Sequence, residues 1–159
     1  MTNTLLTALA ATLLCSAAQA QGVIMERNIS IKLARTIADA ALECPTDGGI
    51  SVAVLDRSGQ LKAMLRGDGG SLYGSELARR KAYTARAFRR PSLEWAKRSE
   101  GDLAGQRMLT DVIPLGGGVP IKVGDDVIGA VGVSGTNAGQ QGDEDCAKAA
   151  IAKVADQLK

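Results

Sequence analysis

The sequence predicts an α+β fold in which helices pack on a five-stranded, largely antiparallel sheet. Three observations carry this reading. The elements follow the order α, β-hairpin, α, α, β, β-hairpin, α. The strand runs are joined by tight turns, and short connections force antiparallel pairing. Residues 115–135 combine β-branched runs with glycines placed inside them. Glycine in a strand interior loses chain entropy and packs nothing, so Gly129 and Gly132 predict a close approach by a helix, a ligand or another backbone.

Each element has a local signal. Ile29, Leu33, Ile37 and Ala41, backed by Ala34 and Ala38, recur at helical spacing, so an amphipathic helix begins at Asn28 or Ser30 and ends near Cys44-Pro45. A hairpin follows, with strands over 50–55 and 60–66 and the turn Asp56-Arg57-Ser58-Gly59. Residues 67–70 make a glycine-rich loop around Asp68. A second helix is expected over 75–88 and a short third over 92–98, after Pro91. A loop at 101–105 leads into a short strand over 108–113. The second hairpin pairs 119–123 with 127–133 around Gly124-Asp125-Asp126. Asp143, Glu144 and Asp145 suit the positive end of a final helix whose apolar face is Ala147, Ala150, Ile151, Val154 and Leu158.

Residues 1–20 read as a signal peptide. The stretch 5–18 carries no charged side chain, is too short to span a bilayer as a helix, and precedes Ala18-Gln19-Ala20, a small-x-small pattern of the kind signal peptidase accepts. Cys15 raises the alternative of a lipoprotein signal, but Leu14 stands where a small residue is needed. The mature chain is then residues 21–159, a single domain that is periplasmic or secreted, with no membrane span. Export lets a disulfide persist, and Cys44 and Cys146 are the two cysteines that remain. One bridge and two buried thiols both fit the sequence.

Composition removes several function classes. The net charge of +2 is too small and scattered to argue for nucleic acid, although Arg79-Arg80-Lys81 and Arg89-Arg90 are locally basic. One Phe, one Trp and two Tyr disfavour a stacking platform for single strands. The chain has no histidine, which removes the Ser-His-Asp triad, the usual zinc site and the usual haem axial ligand together. No metal site is expected.

The second helix breaks its own pattern. Lys81 lies four residues after Leu77, three after Ala78 and four before Ala85, on the apolar stripe or at its edge. An ammonium there needs an acidic partner, an anionic ligand or an exit for its stem. A snorkelling stem is one reading. The functional reading points Lys81 and Thr84, one turn apart, into a pocket where Asp56 or Asp68 balances the charge or a ligand carboxylate replaces it.

Six motifs stand in order over residues 29–158. They are Ser51-Val52-Ala53-Val54-Leu55-Asp56 with Gly59 and Leu61; Arg66 with Asp68; Lys81-Ala82-Tyr83-Thr84-Ala85; Gly117-Gly118-Val119-Pro120-Ile121; Gly129-Ala130-Val131-Gly132-Val133-Ser134-Gly135; and Asp143-Glu144-Asp145-Cys146-Ala147. With them the chain resembles the GlcG/HbpS-like proteins, also described as the haem-degrading or DUF336 domain and found at the C-terminus of PduO-type corrinoid proteins. The resemblance implies a profilin-like three-layer α/β/α fold and assembly into homo-oligomers. It also implies a ligand pocket near the Lys-Ala-x-Thr-Ala helix and the Gly-Gly-x-Pro strand, which brings in Lys81, Thr84, Gly117 and Gly118. This chain departs from the family's Arg-Met-Asp, having Arg66-Gly67-Asp68.

Three functions follow as expectations. The leading one is an exported small-ligand-binding protein for haem or another tetrapyrrole, or a haem-degrading accessory protein. Without histidine, Met25, Met64, Met108, Tyr73, Tyr83, a free Cys or a Lys is left to meet iron. The second is a small enzyme or binder of an anionic metabolite, in which Lys81 and Arg66 hold a carboxylate and Asp56 or Asp68 handles a proton. The third is an oligomeric scaffold without a small-molecule site.

Overall fold

In the computed structural model, which describes residues 22–159, Ser30 opens the first helix. Its hydroxyl accepts from the Leu33 amide at 3.1 Å, satisfying one of the donors a helix start leaves unpaired. Helix α1 runs Ile31–Leu42 and buries Ala34, Ile37, Ala38 and Ala41. The expected signal peptide and Cys15 lie outside the described residues.

The first hairpin is β1 (Ser51–Asp56) and β2 (Leu61–Arg66). Asp56 closes its turn, with Oδ1 accepting from the amides of Ser58 and Gln60 at 2.9 Å each. Helices α2 (Gly74–Phe88) and α3 (Ser92–Arg98) follow, then a 3₁₀ helix over Gly101–Met108. The chain finishes with β3 (Gly118–Val123), β4 (Asp126–Ser134) and α4 (Gly139–Ala152), capped by a short 3₁₀ turn.

The sheet has four strands, not five, in the antiparallel order β2-β1-β4-β3. The strand expected over 108–113 is absent because its polar groups are taken elsewhere. Asp111 turns the chain at φ 66°, a left-handed conformation that breaks strand geometry. Arg79 donates to Asp111 Oδ1 at 2.7 Å, Arg80 donates to the Val112 carbonyl at 2.7 Å, and the Ile113 amide donates to Thr84 Oγ1 at 2.9 Å. The segment is thus laid along α2 by side chains of that helix.

Helices cover both faces of the sheet. On one, Val52, Val54, Val131 and Val133 pack against α1 and against Ala147 and Ala150 of α4. On the other, Leu55 and Ala130 pack under Ala82 and Ala85 of α2. Cys44 and Cys146 are bonded, with Cα atoms 6.0 Å apart, and tie the end of α1 to α4. Their separation of 102 residues makes this a long closed loop, for which chain-entropy reasoning gives a stabilisation of about 4–5 kcal/mol.

Helix α4 begins at Gly139, one turn earlier than the acidic run suggests. Asp143 and Glu144 therefore sit in its second turn and are buried, instead of standing at the positive end of the helix dipole.

Candidate functional site

The glycines of the second hairpin form a bare platform for α2. Gly118 and Gly132 are partners in the β3–β4 register. A Cβ on Gly132 would lie 2.0 Å from the Ala78 carbonyl oxygen, and one on Gly118 would lie 2.0 Å from that of Lys81. The helix backbone thus rests on the strands themselves.

From this platform Lys81 runs inward. Its side chain is 3% exposed, and Nζ donates to Asp143 Oδ2 at 2.6 Å and to the Val133 carbonyl at 3.2 Å. The other carboxylate oxygen of Asp143 accepts from the amides of Gly135 and Thr136 at 3.1 and 2.9 Å and from the Thr136 hydroxyl at 2.8 Å. Gly117, at φ +120°, closes the space: a Cβ there would meet the Val133 carbonyl at 2.6 Å and Asp143 Cβ at 2.8 Å.

The expected counter-charge for Lys81 is corrected by this geometry. It comes from Asp143, not from Asp56 or Asp68. Asp56 pairs with Gly129 in the register, at the turn end of β1, where it holds its own turn and lies 3.9 Å from Lys62. Asp68 is exposed in the loop after β2, and Arg66 beside it donates to the Gly70 carbonyl to close that loop. Thr84 is buried, but its hydroxyl donates to the Arg80 carbonyl at 2.9 Å and accepts from Ile113, so it fastens the 108–113 segment. The structure thus brings together Lys81, Gly117 and Gly118, and adds Asp143; Thr84, Asp56 and Arg66 have other local partners, and Asp68 stands exposed in its loop.

Glu144 does similar work one residue on. It is buried, its carboxylate accepts from the Leu93 amide at 3.3 Å and from Lys148 Nζ at 2.8 Å, and it latches α3 to α4. The lysine is held charged by this bond: its pKa is raised, chiefly by the hydrogen bond to Glu144. Ser92 completes the latch by accepting from the Gly118 amide at 2.8 Å. With its charge matched and its carboxylate fully bonded, the Lys81–Asp143 centre positions strands and loops.

Open space lies elsewhere. A cleft of about 280 Å³ at the outer edge of β2 is lined by Ile31, Arg35, Lys62, Ala63, Met64 and Leu65. Ile31, in its wall, is 60% exposed. A cleft of about 420 Å³ runs along the disulfide, walled by Pro45, Thr136, Asn137 and Ala149. A third, of about 160 Å³, lies beside the β1–β2 turn. Among the described residues no three Cys, Asp or Glu side chains converge as a cation site.

Known proteins share both the sequence pattern and this architecture. A family model described as haem degrading protein HbpS-like matches residues 7–152. Among solved structures, HbpS is 30% identical with a TM-score of 0.78, the match covering 87% of this chain and 98% of that one. The PduOC:heme complex is 27% identical with a TM-score of 0.69, covering 79% and 94%. The Klebsiella pneumoniae protein ORFY, of the DUF336 family, is 23% identical with a TM-score of 0.73, covering 82% and 93%, and shows the fold alone. No curated protein matches this chain. With nearly the whole chain aligned to the family's pattern and its fold shared with HbpS, this protein belongs to the haem degrading HbpS-like family.

Proposed function

We propose that this protein is an exported binder of haem or a related tetrapyrrole that works as a homo-oligomer. The observation that carries the reading is the family match, joined to a shared fold with a protein solved as a heme complex. With it we propose the profilin-like layering, supported by separate apolar clusters on the two sides of the sheet.

The chemistry of the chain's own residues favours the cleft at the edge of β2. A tetrapyrrole presents flat apolar faces, a metal and acidic side groups. Ile31, Ala63 and Leu65 would form an apolar wall, Arg35 and Lys62 would bring cations for carboxylates, and Met64, which borders the cleft from the other face of β2, would be the nearest thioether. Bound haem would supply the iron; the protein supplies orientation and a partly dry surface. At about 280 Å³ the cleft is smaller than the roughly 300–1,000 Å³ of ordinary small-molecule pockets, so one copy covers only part of a macrocycle. A second copy seated on the free edge of β2 and the exposed Ile31 covers the rest, which is our basis for the oligomer.

Haemin titrated into untagged protein should give a saturable Soret change without a bis-imidazole spectrum. Met64→Ala should weaken binding about tenfold or shift the band. Failure of haemin to bind at micromolar concentration would overturn the reading, and an unaltered isotherm for Met64→Ala would move the site away from β2.

Export rests on the uncharged leader and its Ala-x-Ala end, and the Cys44–Cys146 bridge supports an oxidising compartment. Mass spectrometry of protein from the host's extracytoplasmic fraction should find Gln21, or its cyclised form, at the terminus. Intact Met1 in that fraction would contradict it.

A further inference from the structure

The third cleft is lined by Arg57, Ser58, Gly59, Tyr83 and Arg86, and its two guanidiniums are in different states. Arg57 is matched: Nη1 lies 2.6 Å from Asp126 Oδ1 and Nε lies 3.3 Å from Glu26 Oε2. These carboxylates hold its pKa above the ordinary arginine value, the hydrogen bond to Asp126 contributing most. Arg86 has no such bonded partner. Among the described residues no carboxylate pairs with it, and its Nε is buried without a hydrogen-bond partner. Its pKa is pushed down, first by burial and then by the like charges of Arg57 and Arg89, while the unbonded carboxylates of Asp126 and Asp56 offset only part of this.

A guanidinium offers five donors in a planar fork that matches an oxyanion through two parallel hydrogen bonds. It stays charged throughout the working pH range, so an unmatched one that is partly removed from water is costly unless a counter-ion joins it. The cleft beside it has room for one. A water's share of the liquid is about 30 Å³, so a volume of about 160 Å³ admits a single phosphate, sulfate or carboxylate group and excludes a macrocycle. Its shape is fixed, because the turn packs on the Tyr83 ring: a Cβ on Gly59 would lie 3.1 Å from that ring, and the Gly59 amide donates to the Asp56 carbonyl at 3.0 Å.

We propose that this cleft is a binding site for one oxyanion group, seated on the fork of Arg86 with Tyr83 and Ser58 lining it. The proposal stands on the state of Arg86 and does not depend on haem binding. The group can be a free anion such as phosphate or one carboxylate of a larger ligand, and the test separates these sources.

The full protein is melted in inorganic phosphate and, as control, in sodium chloride of equal ionic strength. Phosphate should raise the Tm of the wild type above the chloride control. Arg86→Met should lose that gain, with phosphate affinity down at least tenfold, and should melt no lower than wild type without phosphate, because an unmatched charge has been removed. Arg86→Gln serves as the second variant if Arg86→Met does not fold. Haemin titration with and without saturating phosphate then assigns the source: competition identifies a carboxylate of the larger ligand, and independence a free anion. Equal effects of phosphate and chloride on the wild type, or an undiminished phosphate effect in both variants, would overturn the proposal.

Discussion

Lys81→Met should lower the stability of this protein by about 3–5 kcal/mol, because it leaves Asp143 charged, buried and without its cation. Methionine replaces the apolar stem with one of similar shape, so the loss reports the charge and not a cavity. The carboxylate would keep the amides of Gly135 and Thr136 and the Thr136 hydroxyl, which soften the penalty without removing it. Asp143→Asn in the same background should restore part of the loss, since the amide oxygen can still accept from residues 135 and 136 and no charge is stranded. Urea denaturation of the two single variants and the double variant gives the coupling directly, provided the m-value is unchanged. If Lys81→Met leaves stability unchanged but weakens ligand binding, the lysine faces a ligand after all, and the pairing with Asp143 is not what holds it.

The same pair shows what a sequence can and cannot disclose. That Lys81 is out of place was legible, because helical spacing alone puts it among Leu77, Ala78 and Ala85. Its partner was not, since Asp143 lies 62 residues away and spacing within an element says nothing about which loop folds over it. The acidic run at 143–145 reads as a helix start for a sound local reason, the macrodipole, and tertiary pairing overrides that reason by burying Asp143 and Glu144. Residues 108–113 mislead in the same way: Met108, Leu109, Val112 and Ile113 read as a strand, while Arg79, Arg80 and Thr84, about thirty residues earlier, bind their polar groups to α2. Helix α1, the first hairpin and the glycine hairpin were legible because their signals are local: an apolar period, a capping Ser30, and turn residues between β-branched runs. Arg86 was passed over because a basic residue on a basic helix looks solvated. The one available signal was the excess of Arg79, Arg80, Lys81 and Arg86 over the single acid Glu76 along that helix.

The glycines that first marked this chain support the sharpest steric prediction. In Gly132→Ala the new methyl would sit 2.0 Å from the Ala78 carbonyl oxygen and 2.7 Å from the Ala82 amide nitrogen. Both are backbone atoms of α2, so no rotamer change relieves the contact; the helix must lift off the sheet or tilt. Lifting it opens the cluster of Leu55, Ala82, Ala85 and Ala130 beneath, and draws the Lys81 stem away from Asp143. Overpacking ordinarily costs about 1–3 kcal/mol where side chains can yield. Here the obstacle is main chain and two interactions are lost with it, so a cost above about 4 kcal/mol is expected, a large share of the roughly 5–15 kcal/mol that holds a domain folded. Gly105→Ala is the control, because nothing lies within 4 Å of the added methyl and its φ is not in the left-handed region; it should change stability by less than about 1 kcal/mol. Thermal and urea unfolding of the two variants, with soluble yield, decide the matter. A Gly132→Ala protein as stable as the Gly105→Ala control would mean that α2 does not rest on the strands, and the buried course of Lys81 to Asp143 would fall with it.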